Sequence, residues 1–372
     1  MNFTPLAADT CMYKYTGTRE GVEESCIIGV YVDDCPYMAT NDTLRKEVLT
    51  ELQRRLQLTD LKELNWFLGL EIIQTATEIQ LNQTQYIEKV LEEFGFAGGV
   101  RPRELCQIPN TYYTSNGPEV GSEKWKAFAG KRELIKKFNG TLMYLLATRD
   151  DIRWITCHLS RFVQNPSEDH FNAYKEIFRY LAGTREYCLH YPKGEGNQNL
   201  VLINLLGTNT EGRRRNLNQL VAVVDSDFGG DVETRRSTRG YAIFYNGCLI
   251  SSKAKLDTVY SISSTEAELN ALTLVTQEVE WLRILFEELG HPISGPTIIL
   301  EDNKPCIAMV HEPNAEAART KHLCLKKHWI HDRIKSSMIA VEYLPTTHMI
   351  ADFFTKPVKK SLFFRFRECF CY

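Results

Sequence analysis

The sequence lacks several features that mark particular classes of protein. Its 372 residues include 22 glycines and 13 prolines, too few for a collagen or a low-complexity chain. The 11 cysteines form no Cys-x-x-Cys pair, and their odd, scattered number indicates reduced thiols rather than a disulfide scaffold. Apolar runs such as residues 27–32 are far shorter than the roughly 20 residues of a membrane-spanning helix. No basic start precedes an apolar N-terminal stretch, so we expect no signal peptide and a soluble, intracellular protein.

An excess of charge of one sign is also missing. The 44 Lys and Arg residues face 47 Asp and Glu residues, for a net charge of -3. This balance excludes a globally basic nucleic-acid binder, although it permits a local basic face. Hydrophobic residues make up 43% and charged residues 24%, which is ordinary globular composition. At about 150 residues per domain, the length predicts two or three domains.

Hydrophobic periodicity in the first half predicts a few strands followed by helices. A β-branched run at 26–32 predicts a strand that ends in an Asp-Asp turn, and strands at 66–72 and 78–81 predict a hairpin. Apolar residues at helical spacing predict helices at 44–56, 85–94, 138–146, 152–163 and 171–181. Residues 98–121 are predicted to form a loop, and residues 192–218 are predicted to be a linker.

The second half has the order of an α/β domain. Three strands are predicted at 220–224, 241–245 and 249–252, followed by a long helix at 265–289. The predicted elements after this helix are a strand at 297–300, helices at 303–310 and 327–334, a strand at 339–343 and a short helix at 350–354.

Four acidic residues lie at the ends of these predicted elements: Asp225, Glu268, Asp302 and Asp352. Strand ends in an α/β sheet form the usual ligand crevice, and acids that converge there repel one another unless a cation binds them. Magnesium is the natural cation, and two such ions would activate a water and stabilise the leaving oxygen of a phosphodiester. Each acid taken alone is also explained as a turn residue or a helix N-terminal residue.

The residues around these acids resemble the ribonuclease H domain of copia-type retrotransposon polyproteins. Six motifs occur in the family's order: DSDF (225–228), RSTRGY (236–241), SSTEAE (263–268), EDN (301–303), RTKH (319–322) and ADFFTKP (351–357). The resemblance implies that Asp225, Glu268, Asp302 and Asp352 are the metal-binding catalytic carboxylates, with Asp227 and Glu266 ranked second. It also implies two Mg²⁺ ions, for which Mn²⁺ is a substitute, and cleavage of RNA in RNA–DNA hybrids recognised by shape and 2′-OH contacts.

The segment around RTKH resembles a basic helix of the family that would contact the hybrid backbone. The residues assigned to this contact are Arg319, Lys321, His322, Lys326 and Lys327. A zinc site involving Cys324, His328 and His331 is the less favoured interpretation, because the paired spacing of a zinc finger is absent. His348, four residues before Asp352, is a candidate for proton transfer, and a surface histidine is the simpler interpretation.

The first half resembles the reverse transcriptase of the same family. The motifs are YVDD (31–34), LKELNWFLGLE (61–71), TRDDI (148–152) and RYLAGT (179–184), which correspond to palm, primer-gripping hairpin, thumb and connection. The resemblance implies that Asp33 and Asp34 bind metal in a polymerase site. It also implies that Trp66, Phe67 and Gly69 contact a template-primer, although an aromatic pair in a strand is more often part of a core.

Several departures suggest that the polymerase half is incomplete. Only 32 residues precede Asp33, and no earlier acid lies on a convincing strand, so we expect the site to depend on a missing upstream segment of the polyprotein. Gly29 interrupts the strand before the acids, and Cys35-Pro36 lies where the return strand should start. Asp150 stands where the family usually has proline.

Two charged segments keep two interpretations open. Arg213, Arg214 and Arg215 are either a nucleic-acid contact or a solvated linker run, with the linker run favoured. The tail at 359–367, which alternates basic and aromatic residues, is either a phosphate or membrane contact or a docked terminal helix, with the docked helix favoured.

These observations predict a mixed α/β and α+β protein, with a partial reverse-transcriptase palm and thumb before a ribonuclease H-like α/β domain with a mixed sheet. The predicted segments are a palm at 1–97, a thumb and connection at 98–191, the linker, the ribonuclease H-like domain at 219–357 and a tail at 358–372. The leading function is ribonuclease H activity. A non-catalytic nucleic-acid binder and an inactive transposon relic are the alternatives. The expected location is cytoplasmic, in a virus-like particle, or nuclear, without membrane association.

The incomplete polymerase site generates a first prediction. We expect that the purified chain does not extend a primer on an RNA template, because Asp33 and Asp34 lack the third acid that two magnesium ions require. Incorporation of labelled deoxynucleotides measures this, with a complete reverse transcriptase as the positive control. Template-dependent incorporation by the isolated chain would contradict the prediction.

Overall fold

The computed structural model describes residues 1–194, 199–209, 211–313 and 323–370. Elements are numbered in chain order. The strands are β1 (Thr4–Pro5), β2 (Met12–Arg19), β3 (Val22–Gly29), β4 (Tyr37–Ala39), β5 (Trp66–Phe67), β6 (Leu70–Gln74), β7 (Glu78–Asn82), β8 (Leu189–Pro192), β9 (Leu220–Asp227), β10 (Thr238–Tyr245), β11 (Cys248–Leu256), β12 (Thr297–Glu301) and β13 (Ile339–Tyr343). The α-helices are α1 (Asp42–Arg55), α2 (Thr84–Glu93), α3 (Glu123–Ala127), α4 (Ala129–Leu145), α5 (Arg153–Ser160), α6 (Glu168–Gly183), α7 (Leu200–Leu206), α8 (Ser264–Leu289), α9 (Lys304–His311), α10 (Cys324–Lys335), α11 (Asp352–Thr355) and α12 (Lys360–Arg367).

The chain forms two compact units. The first consists of Met1–Ile72 and Gln277–Ser294, and the second of Ile73–Thr276 and Gly295–Tyr372. The mixed α/β and α+β class, with a mixed sheet in the second half, is confirmed. The five segments expected from sequence stay a prediction, and the helices before the linker share one hydrophobic core with the sheet after it.

The first unit contains an antiparallel sheet in the order β1-β2-β3-β4. Helix α1 packs on it through a small core of Cys26, Ile28, Leu44 and Val48. The Asn41 side chain caps α1 by accepting the Leu44 amide at 2.8 Å, as expected of asparagine before a helix.

The segment Gln277–Ser294 is bound to the first unit by hydrogen bonds. The Glu288 carboxylate accepts the amides of Ala7 at 2.7 Å and Ala8 at 2.9 Å. The Lys14 ammonium donates to the Glu288 carbonyl at 2.7 Å, and the Trp281 indole donates to the Ala8 carbonyl at 2.9 Å. No local pattern in the sequence predicts these long-range contacts.

The Asp33-Asp34 turn lies between β3 and β4, so the predicted hairpin forms. Gly29 ends β3 rather than interrupting it, and its amide donates to the Pro36 carbonyl at 2.9 Å. Pro36 precedes β4, the last strand in the order of this sheet, where its missing N–H costs no pairing. The two departures noted at Gly29 and Pro36 are therefore accommodated locally.

The second unit is built around a five-stranded sheet in the order β11-β10-β9-β12-β13. The pairs β11–β10 and β10–β9 are antiparallel, whereas β9–β12 and β12–β13 are parallel. One hydrophobic core joins this sheet to helices α2, α4, α5 and α6 and to the terminal helix α12. Phe138 and Phe178 from the helices, Val223 from β9 and Phe363 from α12 are all part of it.

Most predicted elements form with boundaries a few residues wider than the periodicity indicated. Helix α4, for example, starts at Ala129 rather than 138, because its N-terminal turns carry few apolar residues. The elements that were not predicted include strands β1, β2, β4 and β8 and helices α3 and α7, and the single strand predicted at 66–72 is instead divided into β5 and β6. Helix α7 lies inside the predicted linker and buries Leu202, Leu205 and Leu206. The C-terminal tail forms the docked helix α12, with Phe363 and Phe366 buried.

The three arginines of the linker have different environments. Arg213 pairs with Glu211 and its side chain is 80% exposed. Arg215 is buried, and its guanidinium bonds Glu342 at 2.8 Å and the carbonyls of Leu206 and Thr208, both at 2.9 Å. Arg215 therefore attaches the linker to β13, which makes it neither a solvated residue nor a nucleic-acid contact.

A buried polar network connects the TRDDI and RYLAGT motifs. Arg149, fully buried, donates to Asp151 at 2.9 and 2.7 Å and to the Thr184 carbonyl and hydroxyl at 2.8 and 2.7 Å. The Tyr180 hydroxyl donates to Asp151 at 2.5 Å. Burial raises the pKa of Asp151, but the Arg149 guanidinium and these hydrogen bonds together lower it below its ordinary value. Both motifs thus serve the packing of the helices.

Asp150, in the place of the family's usual proline, is also bound. It accepts Arg153 Nε at 2.6 Å and the hydroxyl of Ser252 on β11.

Within the described ranges, no helix is both long and apolar enough to cross a bilayer.

The Arg149 network generates a prediction about stability. Arg149→Met leaves the Asp151 carboxylate buried without its cation, which typically costs about 3–5 kcal/mol of unfolding free energy. Urea unfolding followed by circular dichroism measures the loss. Arg213→Ala, at an exposed ion pair, is the matched control and should change stability by at most about 0.5 kcal/mol. Equal stability of the two variants would show that the network contributes little.

Candidate active site

Strand register brings Asp225 and Asp302 to the same sheet edge. Val223 on β9 pairs with Leu300 on the parallel strand β12, and each acid lies two residues beyond its member of that pair. Side chains two residues apart point to the same face of a sheet. The two carboxylates therefore lie side by side at the carboxyl ends of neighbouring parallel strands, as the sequence predicted.

Helix α8 supplies the third acid. Glu268 lies in its second turn and is 6% exposed. Glu266 has a different role, because its carboxylate accepts the Ile262 amide at 2.7 Å while the Ser263 hydroxyl accepts the Glu266 amide at 3.1 Å. This reciprocal arrangement caps the helix and explains the acid two positions before Glu268.

Asp225, Glu268 and Asp302 form the one set of metal-ligating side chains found in the described part of the chain. One carboxylate oxygen from each residue lies within 4.8 Å of the other two. The Oε2 atom of Glu268 is buried without a hydrogen-bond partner. Clustered hard oxygens, one of them unsatisfied, match the ligand preference of a divalent cation such as Mg²⁺. Cys324, His328 and His331 form no such set, and His331 instead bonds the Val310 carbonyl at 2.9 Å.

Helix α11 holds the fourth acid, Asp352, beside Asp225. The Thr355 hydroxyl of this helix donates to Asp225 Oδ2. Gly240 on β10 pairs with Asp225, and a Cβ built on it would lie 2.7 Å from Thr355 Cγ2 and 2.8 Å from Phe354 Cβ. The glycine of the RSTRGY motif is therefore what allows α11 to approach the strand closely enough to place Asp352.

Lys356, which the sequence analysis did not single out, lies between two of the acids. Its ammonium is 2.8 Å from Asp352 Oδ1 and 3.5 Å from Asp225 Oδ2, and its side chain is 31% exposed. It belongs to the ADFFTKP motif, so its position within a matching motif was the available signal. No periodicity argument predicts that this lysine turns back toward the strand end.

Three other residues at the site were also missed. Glu301, fully buried beside Asp302, accepts the Asn303 amide at 3.0 Å. The Tyr112 hydroxyl donates to Asp227 Oδ2 at 2.6 Å, so Asp227 is engaged with residues outside the carboxylate cluster. The Thr346 hydroxyl donates to Asp302 Oδ2 at 2.7 Å.

Burial raises the pKa values of Glu268, Asp302 and Asp352. The pKa of Glu268 lies well above its ordinary value because of burial and then the charges of Glu301, Asp225 and Asp302. The pKa of Asp302 is also raised, mainly by burial. Burial and then the Asp225 charge raise the pKa of Asp352 to about 7. These carboxylates are held in an arrangement that a cation would relieve.

The residues predicted to contact nucleic acid differ in their surroundings. Arg319, Lys321 and His322 lie outside the described residues. The Lys326 ammonium donates to Asn270 Oδ1 at 2.5 Å beside α8, whereas Lys327 is buried at 4% exposure and does not present a cation at the surface. Phosphate contact by Lys326 stays a prediction, and the burial of Lys327 argues against its assignment.

His348 lies in a single 3₁₀ turn, Thr346–His348, just before α11. Burial and then the nearby Arg365 charge lower its pKa below the ordinary value, which favours the neutral imidazole at pH 7. Its role in proton transfer stays a prediction. Because Thr346 bonds Asp302, the turn that carries His348 is attached to the carboxylate cluster.

The residues assigned to the polymerase half lie on two hairpins of the first unit. Asp33 and Asp34 are exposed, and no third metal-ligating side chain joins them among the residues that the structure covers. Leu68 and Gly69, with φ of 52° and 77°, form the two-residue turn between β5 and β6, as hairpins of this length require. Trp66 is 48% exposed, so the core interpretation does not apply to it.

Known proteins resemble the chain over most of its length. A family model described as reverse transcriptase (RNA-dependent DNA polymerase) matches residues 1–108. The Retrovirus-related Pol polyprotein from transposon RE1 of Arabidopsis thaliana is 29% identical over 337 residues, which cover 91% of this chain and 21% of that protein. The corresponding polyprotein from transposon TNT 1-94 of Nicotiana tabacum is 28% identical, covering 96% of this chain and 25% of that protein. The chain thus spans about a fifth to a quarter of the length of these relatives.

Among solved structures, LC11-RNase H1 in complex with an RNA/DNA hybrid aligns with 37% of this chain and 94% of its own. The alignment has 12% sequence identity and a TM-score of 0.29.

The electrostatics of Asp352 generate a prediction. In the metal-free protein, kept so by a chelator, ¹³C NMR should show the Asp352 carboxyl titrating near pH 7 rather than near 3.8. Because folding raises the pKa of Asp352, the protonated Asp352 carboxyl contributes about 4 kcal/mol to the free energy of unfolding. This contribution is fully present below pH 3.8 and is lost as pH rises through 7.

The variant Asp225→Asn tests the cause of this shift, because it removes the repelling charge and should move the Asp352 midpoint to lower pH. Asp332→Asn, on helix α10, serves as the control and should leave the midpoint unchanged. An Asp352 midpoint near 4 in the unmodified chain would contradict the prediction.

Proposed function

We propose, from the premise that the chain belongs to the Pol polyproteins of copia-type retrotransposons, that its second unit is a metal-dependent ribonuclease acting on RNA–DNA hybrids. The observation that carries this proposal is the convergence of Asp225, Glu268 and Asp302, with Asp352 beside them, at the edge of a mixed sheet. Four acids at one sheet edge repel one another strongly unless a cation binds them.

The residues fit divalent metal. Three carboxylates offer oxygens within 4.8 Å of one another, and the unpartnered Glu268 Oε2 is a free ligand atom. Asp225, Glu268, Asp302 and Asp352 would hold the metal, with Mg²⁺ as the expected ion and Mn²⁺ as its substitute. Metal bound there supplies the chemistry of phosphodiester hydrolysis, namely a water nucleophile at neutral pH and stabilisation of the leaving oxygen.

The surrounding residues orient the carboxylates. The Thr355 hydroxyl fixes Asp225, the Thr346 hydroxyl fixes Asp302, and the cap made by Glu266 fixes the start of the helix that bears Glu268. Such hydrogen bonds hold ligands in place before the metal arrives, which limits the reorganisation needed on binding. The neutral imidazole of His348, on the turn attached to Asp302, is a candidate to accept or deliver a proton.

The hybrid would be bound by cations near α8 and on the segment around residue 322. Lys326, placed beside Asn270, is the described residue best suited to meet a phosphate. Recognition of a hybrid rather than a DNA duplex would come from 2′-OH contacts.

For the first unit, we propose a supporting role in holding template-primer. The exposed Trp66 on strand β5 of the β5–β6 hairpin offers an aromatic face on which a base or sugar can stack. Asp33 and Asp34 would supply two of the metal ligands of a polymerase site.

A metal-dependent cleavage assay tests the nuclease. The full chain with Mg²⁺ should cut the labelled RNA strand of an RNA–DNA hybrid and leave single-stranded RNA and duplex DNA intact. Glu268→Gln should lower the rate at least about a hundredfold by removing a ligand, as should Asp225→Asn and Asp302→Asn.

Glu266→Gln is the matched control, because the same change two residues away affects only the helix cap and should cost less than about tenfold. Cleavage that survives Asp225→Asn and Asp302→Asn would refute the site. Salt-sensitive hybrid binding without any metal-dependent cutting would favour the non-catalytic binder, and neither binding nor cutting would favour the inactive relic.

A further inference from the structure

The ammonium of Lys356 lies beside two of the four acids, Asp225 and Asp352. We propose that Lys356 is a positioning residue that serves as a built-in counter-ion on the Asp352 side of the site, so that one divalent ion binds first to Asp225, Glu268 and Asp302. A second ion would then join only by displacing the Lys356 ammonium. This inference rests on the proposed function and concerns the order in which the site is loaded.

The geometry separates the four acids into two groups. Asp225, Glu268 and Asp302 lie mutually close, whereas Asp352 is outside that set and is 2.8 Å from the Lys356 ammonium. Asp225 belongs to both groups, because its Oδ2 is 3.5 Å from the same ammonium. The lysine thus contacts the shared acid and the fourth acid.

Backbone structure fixes the lysine in this place. Lys356 directly follows helix α11, and its amide donates to the Asp352 carbonyl at 3.1 Å. The preceding residue, Thr355, is fully buried and bonds Asp225, while Pro357 follows. The side chain is 31% exposed, so water reaches it and the ammonium can leave the site without unfolding the helix.

Two cations cannot share these oxygens without strong repulsion. A metal ion bound to Asp225 and Asp352 would lie within a few ångströms of Lys356 Nζ, and like charges at such distances repel strongly in a partly buried site. Displacement of the lysine therefore weakens the binding of the second ion. The first ion, bound by Asp225, Glu268 and Asp302, largely avoids this cost. A purely structural salt bridge would affect stability but would not change the ratio of the two metal affinities.

Metal titration without nucleic acid tests the proposal on the full chain. Isothermal titration calorimetry with Mn²⁺, repeated with Mg²⁺, should show one tighter and one weaker ion for the unmodified protein. Lys356→Met keeps the length of the side chain but removes its charge, and it should narrow the ratio of the two dissociation constants at least about tenfold. Lys356→Arg keeps the charge and should retain most of the original ratio.

Lys360→Met is the matched control. Lys360 carries the same charge four residues later and pairs with Glu104 outside the site, so its loss should leave both affinities unchanged. An unchanged ratio in Lys356→Met would overturn the proposal. Two ions bound with equal affinity by the unmodified chain would also overturn it, and that measurement needs no variant to fold.

The outcome is separable from that of the proposed function. Unequal metal binding that depends on Lys356, together with no cleavage of any hybrid, would refute the nuclease and leave the lysine assignment standing. Hybrid cleavage together with a ratio of metal dissociation constants that does not depend on Lys356 would support the nuclease and refute the lysine assignment.

Discussion

Repulsion among buried carboxylates is the constraint on which the second unit depends. Asp225, Glu268 and Asp352 are each at most 6% exposed, and Glu301 is completely buried beside them. Placing such charges out of water and next to one another is costly, so each carboxyl group must gain a proton, a hydrogen-bond donor or a cation. The site uses all three, because burial raises the pKa values, the hydroxyls of Thr346 and Thr355 donate, and Lys356 lies between two of the acids.

The free energy that holds the acids together comes from packing elsewhere. One continuous hydrophobic core joins the helices of the connection to the sheet that carries Asp225 and Asp302. The Arg149 network fastens α6 to the turn before α5, and Asp150 reaches Ser252 on β11. Burial of this size offsets the electrostatic cost of the site, and it couples the five-stranded sheet to helices that sequence alone assigned to another segment.

Local patterns predicted the features of the chain that depend on local rules. Continuous apolar runs predicted β9 and β12, and the acids at their ends followed directly because parallel strands end at one edge. The same local patterns did not predict contacts between residues that lie far apart in the sequence. The pairing of Tyr112 with Asp227 spans 115 residues, and nothing in the sequence around either residue indicates the other. Arg149, read as part of a thumb motif, is a fully buried ion-pair partner, which an arginine in a polar sequence does not predict.

The aspartate and the lysine of the ADFFTKP motif differ in how well the sequence predicts their positions. In ADFFTKP, the aspartate is predictable as a metal ligand because an acid at a helix start near other acids suggests a cation. The lysine four residues later would ordinarily be assigned to solvent. Its ammonium instead returns to Asp352 and Asp225, since α11 is a single turn and the chain leaves it extended, with φ of -149° and ψ of 160° at Lys356. Asp352 and Lys356 are four residues apart, a spacing at which an acid and a lysine also pair along a helix, so the contact with Asp352 is local, whereas the contact with Asp225 joins segments far apart in the sequence.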